Sequence, residues 1–410
     1  MNLLQSNEKN YVRKIVARVV QGFHKIGFYR LAQRFVSSID RIGWRKTPLA
    51  LKCKVQWMEN TVERTGQFKE LTEIATDKVH HLKVPSIVFS DRMLDAERSF
   101  IEKRFAQHQT VRDHALKVVS GSTMRVVSDE KNVMIIDSNG NPIQGLCVAI
   151  DDTDFVMKRL LWPRSKPLPG HTLLCSAAMA DDNYYHWTLE AIPRIGAVLK
   201  SGLRWEDFDQ LLIRNKALRF QVEGLEALGC PQQKVLTEPT LSCFDCEQVT
   251  TTTHPANYIP SEFAINYLSG PFADAVKSQT AQTLQQPCSE KIYISRLGSR
   301  RELANESELI QVLLEKGFSI INLEKLSLQS QIRLFESARI VVAAHGAGLA
   351  NIVYCKPDTR VIEIFHPNHV ETMYWGISEM KNLDYTPFCL AGHQEHMPIS
   401  RLLMLASQTS

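Results

Sequence analysis

Residues 341–365 read VVAAHGAGLANIVYCKPDTRVIEIF. An apolar run meets His345-Gly346-Ala347-Gly348. A short apolar segment follows, then a Pro-Asp-Thr turn, then a second apolar run that contains one acid, Glu363. A buried strand that stops at Gly-x-Gly before a helix is a place for anions. Glycines let backbone N–H groups approach a phosphate, and a helix N-terminus adds partial positive charge. In open α/β sheets, ligands bind beyond the carboxyl ends of the strands. This turn lacks the third glycine of a dinucleotide fingerprint, so spacing alone leaves two readings. His345 either donates a hydrogen bond to a phosphate or holds a tight turn.

Working outward, residues 291–344 alternate short apolar runs with helical periodicity. KIYISR is a strand, ESELIQVLLEKG a helix with a Gly stop, FSIINL a strand, SLQSQIRLFESA a helix and RIVVAA a strand. That order predicts a doubly wound parallel sheet. Tyr293-Ile294-Ser295-Arg296 ends its first strand, so Arg296 leaves the sheet at the same edge as His345. A guanidinium there can clamp a diphosphate through its planar fork; the plain alternative is a surface arginine. Glu363 lies in an apolar strand and needs a partner, either a ribose hydroxyl pair or a structural ion pair.

Upstream, residues 84–162 read as β-rich, with VPSIVFS, LKVVSG, NVMIID and CVAI as strands and SNGN at 138–141 as a hairpin turn. HTLLCSAA reads as a buried strand, and YYHWTLEAIPRIGAVLK as a helix. Residues 209–213 and 234–236 follow as strands, with a helix at 220–228 closed by Gly229. Polar residues 270–290 suit a connection between domains. The expected architecture is therefore α/β: two Rossmann-like domains that face one another across a cleft. The divisions are a basic helical extension (1–80), an N-terminal α/β domain (81–270) and a C-terminal Rossmann-like domain (271–410).

The 410-residue length favours two domains. The net charge of +4 is unevenly placed: residues 1–46 carry +8, so the remainder carries −4. An acidic body argues against a nucleic-acid binder. Residues 9–36 repeat Val12, Ile15, Val16, Val19, Phe23 and Ile26 at helical spacing beside Arg13, Lys14, Arg18 and Lys25. That pattern fits an in-plane helix on an anionic membrane, or a helix packed on its own domain with a solvated basic face. There is no run of apolar residues long enough to span a bilayer and no secretory h-region. Nine scattered cysteines suit a reducing compartment, and the cytoplasm is the expected location.

Asn183, His186 and Glu190 form an Asn-x-x-His-x-x-x-Glu pattern at the start of a helix. His186 and Glu190 are four apart, so they share one helical face. A carboxylate or an imidazole there can take a proton from an attacking hydroxyl. Glu190 is the candidate base and His186 its orienter, with the reverse assignment open. The bland reading is a polar pair on a solvated face. Tyr185 and Trp187 flank the pair, either to stack on a ligand or to fill the core. Asp151–Asp154 reads as a turn. Cys243-Phe-Asp-Cys246 with His254 falls short of the four ligands of a structural zinc site.

YISR, HGAGLANIVYCKPDTRVIEIF and NYYHWTLEAIPR together resemble glycosyltransferase family 61 over roughly residues 85–390, whereas residues 1–80 resemble nothing in that family. The resemblance implies a GT-B fold and an inverting, metal-independent transfer with no cofactor. A nucleotide-sugar, UDP-linked, is the implied donor, and a glycan or lipid-linked glycan of a surface polysaccharide the acceptor. It implies that Ser295 and Arg296 meet the donor diphosphate. His345, Gly346, Ala347, Gly348 and Leu349 form the donor turn, and Glu363 lies near the ribose. Asn183, Tyr185 and Trp187 fall on the acceptor side, with His186 and Glu190 as the catalytic pair. Some relatives carry aspartate where this chain has Glu190. The competing expectations are a non-catalytic sugar-nucleotide or glycan binder on the same fold, and an NAD-dependent enzyme.

Overall fold

A computed structural model describes residues 56–57, 68–128, 133–136, 143–146, 164–175, 183–214, 218–238, 242–254, 259–279, 289–299, 302–366, 369–392 and 394–407. The basic helix expected over 9–36, the SNGN turn, CVAI and Asp151–Asp154 lie outside the described residues. The described chain is mixed α/β, with two large sheets.

The C-terminal sheet has six strands, all parallel. Its spatial order is Ser319–Ile321, Lys291–Ile294, Ile340–Ala344, Arg360–Phe365, Asp384–Cys389 and Val88–Phe89. The strand order therefore reverses between Lys291–Ile294 and Ile340–Ala344. A crevice opens at such a switch point because the connections on either side leave in opposite directions. Arg296 and the His345–Gly348 turn emerge there. Helices Glu306–Glu315 and Leu328–Ser337 supply the crossovers. The second of these is capped by Ser327, whose Oγ accepts from Ser330 N. One strand of this sheet, Val88–Phe89, comes from far upstream, inside the 81–270 stretch.

The other sheet departs from a second Rossmann-like layer. Val235–Thr237, Gln210–Ile213, Lys166–Leu173 and Ser242–Thr252 run parallel to one another. Leu116–Ser128 then pairs antiparallel with Ser242–Thr252, Phe68–Ala75 and Val133–Ile136. Four residues separate Leu116–Ser128 from Val133–Ile136, too few for a parallel crossover. The expected strand at HTLLCSAA sits earlier, over Lys166–Leu173, and the eleven-residue strand Ser242–Thr252 is absent from the sequence reading.

Two helices also correct that reading. Asp95–Gln107 lies in the region read as β-rich; only Ile101 and Phe105 are buried in it, so it carries no apolar stripe. A helix running from Glu262 to Ser278 enters the expected interdomain connection and contains a π-helical turn, Leu268–Phe272, with Pro271 inside. The largest buried cluster draws side chains from both sheets' layers, Trp187 and Phe272 among them together with Val341 and Trp375. The two halves therefore share a packed core.

Candidate active site

The strand Lys291–Ile294 is followed by a turn held from beneath by Glu306, a buried acid that the sequence reading passed over. Its Oε1 accepts from Ser295 Oγ at 3.0 Å and from Arg296 N at 2.6 Å, and its Oε2 accepts from Leu303 N at 3.2 Å. Ser295 is thus part of the turn's scaffold. Arg296 is left to reach across the switch point, where Nη1 donates to the main-chain oxygen of His345 at 2.6 Å. It lies against Gly346, where a Cβ would come within 1.9 Å of Nη1. Gly346 has a φ of 169°, which any residue can adopt, so glycine is needed here for room. Gly348 is similar: a Cβ there would meet Leu323 Cδ1 at 2.7 Å. Ala347–Tyr354 follows as a 3₁₀ helix whose first N–H groups have no partner within the helix.

These elements form one wall of a cavity of about 690 Å³. Ser295–Ser299, Ala343, Ala344 and Gly346–Leu349 line it, with Asn322, Leu323 and Glu324 at one end. Asn183, Tyr184 and Phe220 line it from the other half of the molecule. Such a volume suits a drug-sized or cofactor-sized ligand. Tyr184, which the sequence reading did not select, ties the walls together. Its Oη donates to Asn351 Oδ1 at 2.6 Å, and Asn351 Nδ2 donates to Gln331 Oε1 at 3.0 Å and to Gly348 O at 3.1 Å. Burial pushes the Tyr184 phenol up, so it remains a donor.

His345 and Glu363 are brought together, but away from that cavity. His345 Nδ1 lies 2.5 Å from Glu363 Oε1, and Tyr385 Oη donates to Glu363 Oε2 at 2.5 Å. Burial, and then the charge of Glu363, push the Tyr385 phenol well up, which keeps its proton in place. The Glu363 side chain is 0% exposed. It is a structural acid that fixes His345, and the expectation that it meets a ribose is corrected. The His345 ring stacks on Phe365 at 5.3 Å and meets His369 edge-on at 4.9 Å and Tyr374 at 5.5 Å. The main-chain oxygen of His345 accepts from Arg296, which lines the cavity.

On the opposite wall, Asn183 caps a helix, its side chain accepting from Tyr185 N at 2.9 Å. The helix runs to Lys200 but widens to a π turn over Trp187–Ala191, where Ile192 N–H reaches back to Trp187 O. Pro193 explains the widening. It has no N–H to give to Leu189 O, and its ring would crowd that carbonyl in a regular α-helix. π turns recur at functional sites. Glu190 lies in the turn and His186 just before it, with Nδ1 and Oε2 3.0 Å apart and side chains 19% and 17% exposed. Both atoms are buried, and their geometry is not that of a hydrogen bond. Neither has a hydrogen-bond partner among the described residues. Just beyond the π turn the helix is pinned by Arg194, a buried residue that donates to Thr252 Oγ1 at 2.9 Å, Thr251 Oγ1 at 3.0 Å and Thr252 O at 3.1 Å.

The aromatic neighbours of the pair belong to the core: Tyr185 is 6% exposed and Trp187 3%. Neither lines the cavity, whereas Tyr184, one residue earlier, does. Cys243 and Cys246 are both buried, and burial pushes the Cys246 thiol up to about 12, so neither is a reactive thiolate. Among the described residues, no three His, Cys, Asp or Glu side chains gather where a metal could be held, and no helix is long and apolar enough to cross a membrane.

Residues 184–362 match the family model described as Glycosyltransferase 61. The span takes in His186, Glu190, Arg296 and His345, and ends one residue before Glu363. The chain is similar to a beta-1,2-xylosyltransferase of Oryza sativa subsp. japonica, 33% identical over 98 residues that make up 22% of this chain and 18% of that protein. It is also similar to a beta-1,2-xylosyltransferase of Arabidopsis thaliana, 32% identical over 77 residues, 18% of this chain and 14% of that protein. The chain thus matches less than a fifth of the length of these curated relatives. Among solved structures it is similar to the bacterial iron-containing dodecameric glycosyltransferase TibC from enterotoxigenic E. coli, at 12% identity and a TM-score of 0.20, over 62% of this chain and 75% of that one. That likeness is too slight to carry an argument.

Proposed function

We propose, from the premise that residues 184–362 are a glycosyltransferase 61 domain, that this chain is an inverting glycosyltransferase of the two-domain GT-B kind. It moves a hexosyl or pentosyl group from a nucleotide-sugar, UDP-linked, to a glycan or lipid-linked glycan of a surface polysaccharide. The names of the plant relatives make xylose the first sugar to test. The observation that carries the reading is the cavity at the strand-order switch point, lined by Arg296 and the Gly346–Gly348 turn and closed by Asn183 and Tyr184.

In this reading the donor diphosphate lies against the Arg296 guanidinium and the first N–H groups of Ala347–Tyr354. Glu190 takes the proton of an acceptor hydroxyl. That oxygen bonds to the anomeric carbon from the face opposite the leaving group as the bond to the diphosphate oxygen breaks. The nucleoside diphosphate leaves with the bonding pair. Its developing charge is met by Arg296 and the oriented backbone groups, which do the work that a cation does elsewhere, so the transfer is metal-independent. His186 orients Glu190. The protein works in the cytoplasm, and the basic stretch 9–36 holds it at an anionic membrane face.

A thermal-shift titration of the full chain with UDP, GDP and NAD tests the reading. A ligand that binds only the native state raises the melting temperature, by about 2.7 kcal/mol of stability at a hundredfold excess over Kd. Stabilisation by UDP, independent of added metal and lost in Arg296→Ala, is the expected result. Stabilisation by NAD alone would sink the transferase reading.

A further inference from the structure

The cavity beside Arg296 extends over the C-terminal sheet in one direction only. Toward Arg360–Phe365 it is closed. Tyr374 Oη donates to Gly346 O at 2.8 Å, the Tyr374 ring meets His345 at 5.5 Å, and His345 stacks on Phe365 at 5.3 Å. No described residue of Arg360–Phe365 or Asp384–Cys389 lines the cavity. On the other side it runs past Ile294 and Ser295 to Asn322, Leu323 and Glu324, which follow the strand Ser319–Ile321. A ligand anchored at Arg296 therefore extends over Ser319–Ile321.

The turn that carries Glu324 is fixed by its backbone. Ser295 N donates to Ile321 O at 2.9 Å, which sets the turn beside that of Arg296. Asn322 Oδ1 accepts from Glu324 N at 3.1 Å. Gln331 Nε2 donates to Leu323 O at 3.2 Å and to Leu326 O at 3.3 Å. Its Oε1 accepts from Asn351 Nδ2, which also donates to Gly348 O. One run of hydrogen bonds thus registers the Glu324 turn against the Gly346–Gly348 turn. The Glu324 side chain is exposed and makes no hydrogen bond or ion pair among the described residues. A fixed backbone beneath an unengaged carboxylate leaves that carboxylate to a ligand.

We infer that Glu324 accepts hydrogen bonds from the ribose hydroxyls of the donor nucleotide, and that the site thereby selects a ribonucleotide over its 2′-deoxy form. This rests on the transferase reading above. The diphosphate belongs at the Arg296 end, because a carboxylate repels it at the other. What Glu324 faces is then neutral and must donate. A ribose offers two adjacent hydroxyls, and a carboxylate has two oxygens to accept from them. The place fits as well: in doubly wound sheets an acid beyond the phosphate-binding turn meets the ribose hydroxyls. Glu324 follows the strand that comes next in the chain after Lys291–Ile294 and pairs with it. Glu363 cannot serve, since both its oxygens are engaged by His345 and Tyr385 in the interior.

Isothermal titration of the full chain tests the assignment, with UDP, GDP and ADP as probes beside their 2′-deoxy counterparts, all in EDTA so that no metal bridges Glu324 to a phosphate. The ribonucleotide that binds is expected to do so about tenfold more tightly than its 2′-deoxy form, the size of one charge-assisted hydrogen bond. Glu324→Ala is expected to bind the two forms alike. Glu324 is exposed, so the variant keeps the native melting temperature, and the comparison of the two forms on the native chain needs no variant at all. Equal binding of both forms by the native chain, or a preference that survives Glu324→Ala, overturns the assignment and leaves the donor reading in place. If none of the three ribonucleotides binds, the donor reading falls and takes this inference with it.

Discussion

Two histidines in this molecule sit beside a glutamate, and the two pairs are built to opposite rules. His345 and Glu363 meet at 2.5 Å in hydrogen-bond geometry; a tyrosine takes the second oxygen of Glu363, and rings close the imidazole in. His186 and Glu190 lie 3.0 Å apart at the start of a π turn, with the facing nitrogen and oxygen buried and without hydrogen-bond partners among the described residues. A buried polar atom left unpaired is costly, and native proteins keep few of them. The saturated pair spends its hydrogen bonds on holding a turn. The unsaturated pair leaves its hydrogen-bonding capacity unused, which in the proposed reaction serves an acceptor hydroxyl.

The sharpest way to break this comparison is Glu190→Gln. The change keeps shape and removes the proposed base, so the proposal expects kcat for UDP release from UDP-xylose in the presence of acceptor to fall about 10²–10⁴-fold. The UDP-induced thermal shift and the melting temperature stay as in the native chain. Full activity in this variant would make Glu190 one more polar residue on a helix face, and the contrast between the pairs would lose its meaning. No activity in either protein, with UDP binding kept, would favour a non-catalytic binder.

The converse test is Glu363→Leu. It strips the acceptor from two buried partners, Tyr385 Oη and His345 Nδ1, at about 1–3 kcal/mol each, so a loss of about 3 kcal/mol or more is expected in urea denaturation. Nucleotide binding weakens only insofar as the turn loosens. An unchanged midpoint would mean that the saturated pair holds nothing.

The pairs differ as much in how they are written as in how they are built. His186 and Glu190 are four apart, so their meeting is legible from helical spacing alone. His345 and Glu363 are eighteen apart and meet because Ile340–Ala344 and Arg360–Phe365 run parallel in register, with Ala343 beside Glu363 and His345 N donating to Ile364 O. The alternation of strands and helices made the parallel sheet and its sheet-edge Arg296 readable. It did not tell whether Glu363 faces a ligand or the interior, since a strand buried on both faces shows no polar alternation. Tyr185 and Trp187 look like sugar-stacking residues beside a base. Only packing reveals that they are core and that the cavity is lined by Tyr184, one residue earlier. Helix Asp95–Gln107 was invisible because it buries two side chains out of thirteen. Glu306 carries no local mark at all, as its three hydrogen bonds close a turn ten residues upstream.

The smallest expected effect comes from a single methyl group placed within one wall of the cavity. Gly346→Ala has no backbone cost, because φ is 169° and ψ 171° in the native chain, extended values open to any residue. Its Cβ would fall 1.9 Å from Arg296 Nη1, the atom that donates to His345 O. A guanidinium at the end of a flexible side chain can swing aside, so the fold survives and the melting temperature moves little. What is lost is the fixed position of Arg296, since its hydrogen bond to the turn and the site of the new methyl cannot both be occupied. A displaced charge-assisted clamp is worth about 1.5–3 kcal/mol at most. A partly displaced one should weaken UDP by about tenfold, or 1.4 kcal/mol, in isothermal titration. Unweakened UDP binding would mean that the saturated side of the molecule positions no ligand group, and that Arg296 acts at this site from somewhere other than the turn it rests on.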